Sequence, residues 1–295
     1  MDFRVAGTTI TAPGARHTAV ILMRTLCLLA GVLAVLSATA SYGETAPAPA
    51  AGGTVRGVNP KDNITKVELL YKYDAYTHGV SVNSLTLKYD RALSAAWGFN
   101  IEAPLPSYRG FGVADAGLGD IQARLRYVKT FGPLSLIAGA ELVAPTATAA
   151  TLGRGKWQAN PVVAAVYAVT PQVFTFFGLK QFWSFAGDSH RVTINETQPR
   201  LLTACTSKAG WWALADVKYT KSWECSPRSL VTADGDLEPP SQPVGAGCMR
   251  PQALDVEFEL GQMLGPRTGV FARVGTSFLD STRDFGVNLG FRHIF

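Results

Sequence analysis

From Ile64 onward the chain alternates apolar and polar residues with a period of two, in segments of about ten residues. Successive side chains of a β-strand point to opposite faces, so this pattern predicts strands with one apolar and one polar face. Lys66 to Tyr73 puts Val67, Leu69, Tyr71 and Tyr73 on one face and Lys66, Glu68 and Lys72 on the other. Ser84 to Asp90 repeats the pattern, and in Asp120 to Tyr127 the residues Ile121, Ala123, Leu125 and Tyr127 oppose Asp120, Gln122, Arg124 and Arg126. Near the end, Leu254, Val256, Phe258 and Leu260 alternate with Asp255, Glu257 and Glu259. The spacing predicts twelve strands, at about 64–73, 80–90, 94–103, 119–129, 134–145, 156–169, 172–184, 191–203, 210–224, 253–264, 268–278 and 284–295.

An antiparallel sandwich with one wet face also alternates, and the connections separate the two folds. Those at 91–93, 130–133, 170–171, 204–209 and 265–267 are short. Those at 104–118, 146–155, 185–190 and 225–252 are longer, and 74–79 and 279–283 are modest. Short and long alternate, which collects the long loops at one end, as in outer-membrane barrels with short periplasmic turns and longer external loops. The last strand carries an apolar stripe, Phe285, Val287, Leu289, Phe291 and Phe295, ending on an aromatic residue. That ending resembles the assembly signal read by the barrel-assembly machinery, with Phe295 as its terminal residue. The expected fold is all-β: a transmembrane antiparallel up-and-down β-barrel of about twelve strands over 64–295, set in outer-membrane lipid.

Before the barrel, Met23-Arg24-Thr25 and the apolar run Leu26 to Leu36, followed by Ala38-Thr39-Ala40, have the layout of a secretory signal peptide. Cleavage is expected near Ala40, with Gly43 as the alternative, and Met23 is a candidate true start. Residues 41–63 read as a flexible lead-in, rich in Ala, Pro and Gly over Glu44 to Gly53.

Hydrophobic residues make up 47% and charged residues 17% of the chain, against about 25% charged in a typical soluble domain. Past residue 40 no uninterrupted apolar run reaches the ~18–20 residues of a spanning helix. Loss of residues 1–40 removes Arg4, Arg16, Arg24 and Asp2, leaving 24 basic against 21 acidic residues, a net charge of +3. That near-neutral balance, without a basic cluster interleaved with aromatics, excludes a nucleic-acid partner.

Three stretches carry a family resemblance: Gly117-Leu-Gly-Asp120 through Tyr127, Leu152-Gly-Arg-Gly-Lys-Trp157 through Pro161, and Gly187-Asp188 through Asn195 with Gln198-Pro199 and Gly210-Trp211. The sequence resembles the outer-membrane transporters labelled "MetA-pathway of phenol degradation", which share a Gly-x-Gly-Asp strand opening, a Pro-Thr segment and a Gly-x-Gly-x-Trp loop. Pro145-Thr146 occupies the Pro-Thr position, and the resemblance covers about residues 64–224. It implies a transporter-like barrel, with a link to aromatic compounds.

Candidate chemistry lies on the polar strand faces. Lys66, Glu68, Lys72, Lys88, Glu102, Arg124, Arg126, Glu141, Lys180, Glu196, Arg200, Asp216, Lys218, Asp255, Glu257, Glu259, Arg273 and Arg292 are expected to face the lumen. Mixed signs on neighbouring strands suit an ion-pair ladder, and a charged wall that guides solutes is the alternative. Trp97, Trp157, Trp183, Trp211 and Trp223 fall near strand ends, where an interfacial girdle is expected. Trp212, Phe174 and Phe176 fall inward by parity and offer an aromatic path. Asp120 is expected to bond within its own turn.

Cys225 and Cys248 bracket the longest external loop and are a disulfide candidate, while Cys205 is expected free in a periplasmic turn. Their spacing argues against a metal site, and no cofactor is implied. A lipid hydrolase needs a histidine activating a serine on the outer face, yet His78 and His190 fall in loops, His293 lies near the periplasmic end, and adjacent Ser189 and His190 would point apart. The sequence therefore predicts no enzyme. It predicts a passive conduit for small, aromatic or apolar molecules, or alternatively a plugged structural or interaction barrel, since twelve strands fall between a filled and an open lumen.

Overall fold

A computed structural model describes residues 55–224 and 250–295. The expected signal peptide, residues 41–54 of the expected lead-in and the candidate Cys225–Cys248 pair lie outside the described residues. The strands are β1 (Lys66–Tyr76), β2 (Ser81–Ala92), β3 (Trp97–Gly110), β4 (Val113–Ala116), β5 (Ile121–Phe131), β6 (Leu134–Ala144), β7 (Lys156–Ala168), β8 (Val173–Gly187), β9 (Asn195–Thr206), β10 (Trp211–Ser222), β11 (Gln252–Met263), β12 (Thr268–Leu279) and β13 (Arg283–Ile294).

Twelve of these strands close a ring. Each pairs antiparallel with its chain neighbour, β3 pairs directly with β5, and β1 meets β13 with Lys66 opposite Ile294 and Leu69 opposite Phe291. Closure leaves no sheet edge, so every strand's backbone groups can pair where lipid offers no hydrogen bonds. The alternation read from sequence is the physical basis of the wall. Leu69, Leu125, Val163, Phe177, Leu201, Leu260 and Leu289 stand exposed on its outer face, while Glu68, Glu141, Asp216 and Glu257 are buried inside.

The structure moves several expected boundaries. Residues 104–118, read as a loop, continue β3 to Gly110 and return as β4, forming a hairpin that rises beyond the ring. Beyond the last β3–β5 pair, Glu102 with Gln122, Gly119 N–H donates to Pro104 O (2.9 Å) and Gly117 N–H to Pro106 O (3.2 Å), so the segment before β5 extends the ladder. β9 begins at Asn195, after the expected start, and runs to Thr206. Cys205 therefore lies in a strand opposite Ala213, not in the turn, though still at the short-turn end, with a free, half-buried thiol.

Residues 55–63 are not a free lead-in. Val55, Val58 and Ile64 pack against Trp212, Met263, Phe271 and Ile294 inside the short-turn end. Arg126 donates from Nε to Asn63 Oδ1 and from Nη2 to Asp62 O, both 3.0 Å, and Lys66 Nζ donates to Gly57 O (3.3 Å). Apolar side chains in a segment rich in small and polar residues, together with an arginine on the facing wall, hold it there. The same end carries a second apolar cluster, Val128, Ile137, Val166, Phe174, Phe176, Leu202, Ala204 and Leu214. At ~1.5–3 kcal/mol for each fully buried large side chain, this floor is the main apolar contribution inside the barrel.

Candidate functional site

Above the floor the lumen is a belt of charge. On β5 to β8, Glu141 accepts from Arg124 Nε (3.0 Å), Asn160 Nδ2 (3.0 Å) and Lys180 Nζ (2.6 Å). Beside it Lys88 pairs with Glu102 (2.9 Å), which also accepts from Gln122 Nε2 (2.8 Å). Across the lumen Asp216 receives a bidentate pair from Arg200, Nε at 2.9 Å and Nη2 at 2.6 Å. Lys218 bridges Asp216 (3.5 Å) and Glu257 (3.1 Å), and Arg273 reaches Glu257 (3.1 Å) and Glu259 (2.7 Å). Asp255 accepts from Ser277.

All ten lumen candidates on β5 to β12, namely Arg124, Arg126, Glu141, Lys180, Asp216, Lys218, Asp255, Glu257, Glu259 and Arg273, thus point inward, and all but Arg126 pair with or lie beside an opposite charge or a bound hydroxyl. Four partners were missed by parity reading. Asp74 and Arg283 form a buried bond of 2.7 Å, and Arg283 also reaches Glu257 (3.2 Å). Asp90 lies 3.8 Å from Lys66, and Arg154 binds Glu196 (2.7 Å) from a loop. Arg283 and Arg154 were legible only as connection residues, since nothing local says that a loop arginine folds back into the lumen.

Trp212, fully buried, donates from Nε1 to Glu259 (2.7 Å) and packs against Phe271, the ring centres 6.2 Å apart. Glycine makes this possible. A Cβ on Gly261 would lie 2.1 Å from the Trp212 ring, and one on Gly290 would lie 2.1 Å from Phe271. The five tryptophans expected at strand ends are exposed there, Trp97 and Trp211 at the short-turn end and Trp157, Trp183 and Trp223 at the other.

Parts of the three resemblance motifs, around Asp120, Arg154 and Asp188, meet at the long-loop end, whereas Gly210-Trp211 lies at the short-turn end. Asp120 does not bond within its own turn. It accepts from Ala147 N (3.1 Å) and Arg154 N (2.7 Å), tying the 145–155 loop to the start of β5. Burial pushes the Asp120 carboxyl above its ordinary value, opposed by those backbone bonds and the charge of Arg154. Thr146 Oγ1 accepts from Ile121 N (2.9 Å) and donates to Gly119 O (2.8 Å), and Gly153 sits where a Cβ would meet Asp120 at 2.5 Å. Gly153 and Thr146 thus let the loop pack closely on the strand opening.

Between floor and belt lies a cavity of ≈ 320 Å³. Lys88, Arg124, Arg126, Lys180, Arg200, Arg273 and Arg292 line it, against Glu68, Glu102 and Glu259, with Ile137, Val162, Ala164, Phe176, Leu202 and Leu214 among its apolar lining. His190 stays in the 188–194 loop, exposed and within 3.2 Å of Asp188. Among the described residues no cluster of His, Cys, Asp and Glu is arranged to hold a metal ion.

No family model matches the sequence, and no curated protein matches it. Among solved structures the chain is similar to the COG4313 outer membrane channel from Pseudomonas putida F1, with TM-score 0.62 at 14% identity over 81% of this chain and 100% of that one. It is also similar to the NanC porin (TM-score 0.52, 9% identity, 78% and 99% covered) and to the KdgM porin (0.51, 10%, 77% and 99%). At these identities the likeness is one of fold, that of an outer-membrane β-barrel, which in this chain closes with twelve antiparallel strands and carries one added strand.

Proposed function

We propose that the protein resides in the outer membrane as a passive, non-enzymatic conduit for small molecules, its short turns on the periplasmic side. The observation that carries this reading is the internal cavity of ≈ 320 Å³ inside a wall whose outer face is apolar. Similarity to an outer membrane channel over that chain's whole length supports it, and the resemblance to the phenol-degradation transporters supports aromatic or apolar solutes. Phe295 fits recognition by the barrel-assembly machinery, and its removal is expected to slow assembly in cells.

The second reading, a plugged barrel, draws on residues 55–63 and their bonds to Arg126. Planar-bilayer conductance of the purified protein decides between them. Measurable current or solute flux in the wild type supports a conduit. Flux that appears only in an Arg126→Ala, Asn63→Ala double variant means that the segment closes the lumen, and none in either means a structural barrel.

A further inference from the structure

The cavity is two-faced. Its floor is apolar, from Ile137, Val162, Ala164, Phe176 and Leu202, and its roof is cationic, with seven basic side chains against three acidic in the lining. The whole lumen is close to balanced, so the excess is a matter of placement. Glu141 and Asp216 are the carboxylates that hold Arg124 and Arg200, and their side chains are 1% and 0% exposed, while those of Arg124 and Arg200, which line the cavity, are each 33% exposed. Each carboxylate serves more than one cation, Glu141 taking Arg124 and Lys180, and Asp216 taking Arg200, Lys218 and Arg273. Sinking the acids into the wall and turning the guanidinium edges inward leaves donors facing the space. Arg124 and Arg200 each spend Nε and Nη2 on their carboxylate, which leaves Nη1. Arg292 also lines the cavity, its guanidinium lying over the Trp212 and Phe271 rings with Nη1 buried and without a hydrogen-bond partner. An anion in the cavity would accept from the Nη1 donors of Arg124 and Arg200.

We infer that the cavity binds amphipathic organic anions, with a carboxylate against Arg124, Arg200 and Arg292 and an apolar or aromatic body on the Phe176–Leu202 floor. An aromatic ring bearing one carboxylate has the right size and polarity for ≈ 320 Å³, and planar guanidinium forks match carboxylates in bidentate geometry. A simple inorganic anion lacks the body that would displace water from the floor, and a neutral aromatic leaves the arginine donors unmet. The inference deepens the conduit reading and rests on it only for the route of entry.

Calorimetric titration of the full-length protein in detergent tests it with four probes: benzoate, benzyl alcohol, acetate and benzylamine. Benzoate is expected to bind at least tenfold more tightly than each of the other three. Arg124→Gln is expected to weaken benzoate at least tenfold and leave benzyl alcohol within about twofold. Ala164→Phe, which fills the floor, is expected to abolish binding of both, with heat-modifiable gel mobility checking that each variant is folded. Benzyl alcohol binding as well as benzoate in the wild type overturns the inference, as does benzoate binding that survives both substitutions. If neither variant folds, the wild-type ranking decides. Flux without selective benzoate binding sinks the inference and keeps the conduit; selective binding without flux does the reverse.

Discussion

On the wall built by β10 to β13 and β1, the side chains of Asp216, Lys218, Glu257, Asp74 and Arg283 are each 0–1% exposed. On the wall built by β5 to β8, Arg124 and Lys180 keep 33% and 18% of their side chains open around one buried carboxylate, Glu141. Both walls descend from the same strand alternation, and the difference is stoichiometry and depth. On the packed wall five acids, Asp74, Asp216, Asp255, Glu257 and Glu259, interleave with four cations, Lys72, Lys218, Arg273 and Arg283, so most of the charge is met within it. On the open wall one acid faces two cations, and the remainder of their charge must be met by water or a solute. A barrel can therefore be filled on one side and receptive on the other without changing its fold.

The largest expected effect comes from the packed wall. Arg283 lies 2.7 Å from Asp74, 3.2 Å from Glu257 and 3.7 Å from Asp255. Arg283→Met would take from three buried carboxylates a cation they share, leaving Asp74 with Lys72, Glu257 with Lys218 and Arg273, and Asp255 with the Ser277 hydroxyl alone, and breaking a buried pair by removing one partner costs about 3–5 kcal/mol. Urea unfolding of the refolded barrel should show that loss, and a drop under ~1 kcal/mol would mean that this wall does not depend on pairing. Next in size, Gly261→Ala would push a methyl into Trp212 at 2.1 Å, and overpacking of this kind costs about 1–3 kcal/mol. An unchanged urea midpoint would show that the ring moves freely, contrary to a packed wall.

Which wall is packed was not legible in the sequence. Period-two alternation is local, so it placed Glu141, Lys218 and Arg273 inward from their own strands. Pairing is not local: Asp74 and Arg283 are 209 residues apart, and Arg154 reaches Glu196 across 42. Asp120 misled for the same reason, since its partners Ala147 and Arg154 lie in another loop. Nor does composition reveal that Val55, Val58 and Ile64 insert into the barrel end, because three apolar residues among glycine, asparagine and proline look like linker until the matching cluster is known.

On the open wall the expected loss of stability is smaller and the functional change is the readout. Glu141→Gln keeps an acceptor for Asn160 but removes the charge held between Arg124 and Lys180. Both cations already reach the cavity, so solvent can take up part of their charge, and the urea midpoint should shift by less than half the Arg283→Met effect. Reversal potentials in asymmetric KCl should move toward anion selectivity. A stability loss equal to that of Arg283→Met would erase the distinction between the walls.

The smallest effect is expected from reducing agent, and it tests the strand register on which both walls rest. Asp216 belongs to β10, and its pairing with Arg200 requires β9 and β10 to run with Ala213 opposite Cys205 and Lys218 opposite Arg200. That register sets Cys205 at the short-turn end, whereas β10 ends at Ser222 on the other side, three residues before Cys225. A disulfide needs Cα atoms within roughly 7 Å, and the ten strand residues from Ala213 to Ser222, rising about 3.3 Å each, exceed that several times over. We therefore expect peptide mapping of the non-reduced protein to find Cys225 joined to Cys248 and Cys205 alkylated, with conductance unchanged on reduction. A Cys205–Cys225 link within one chain would require β9 or β10 to slide along its neighbour by most of its length. Arg200 could not then reach Asp216, and the comparison of a packed wall with an open one would lose the strand that divides them.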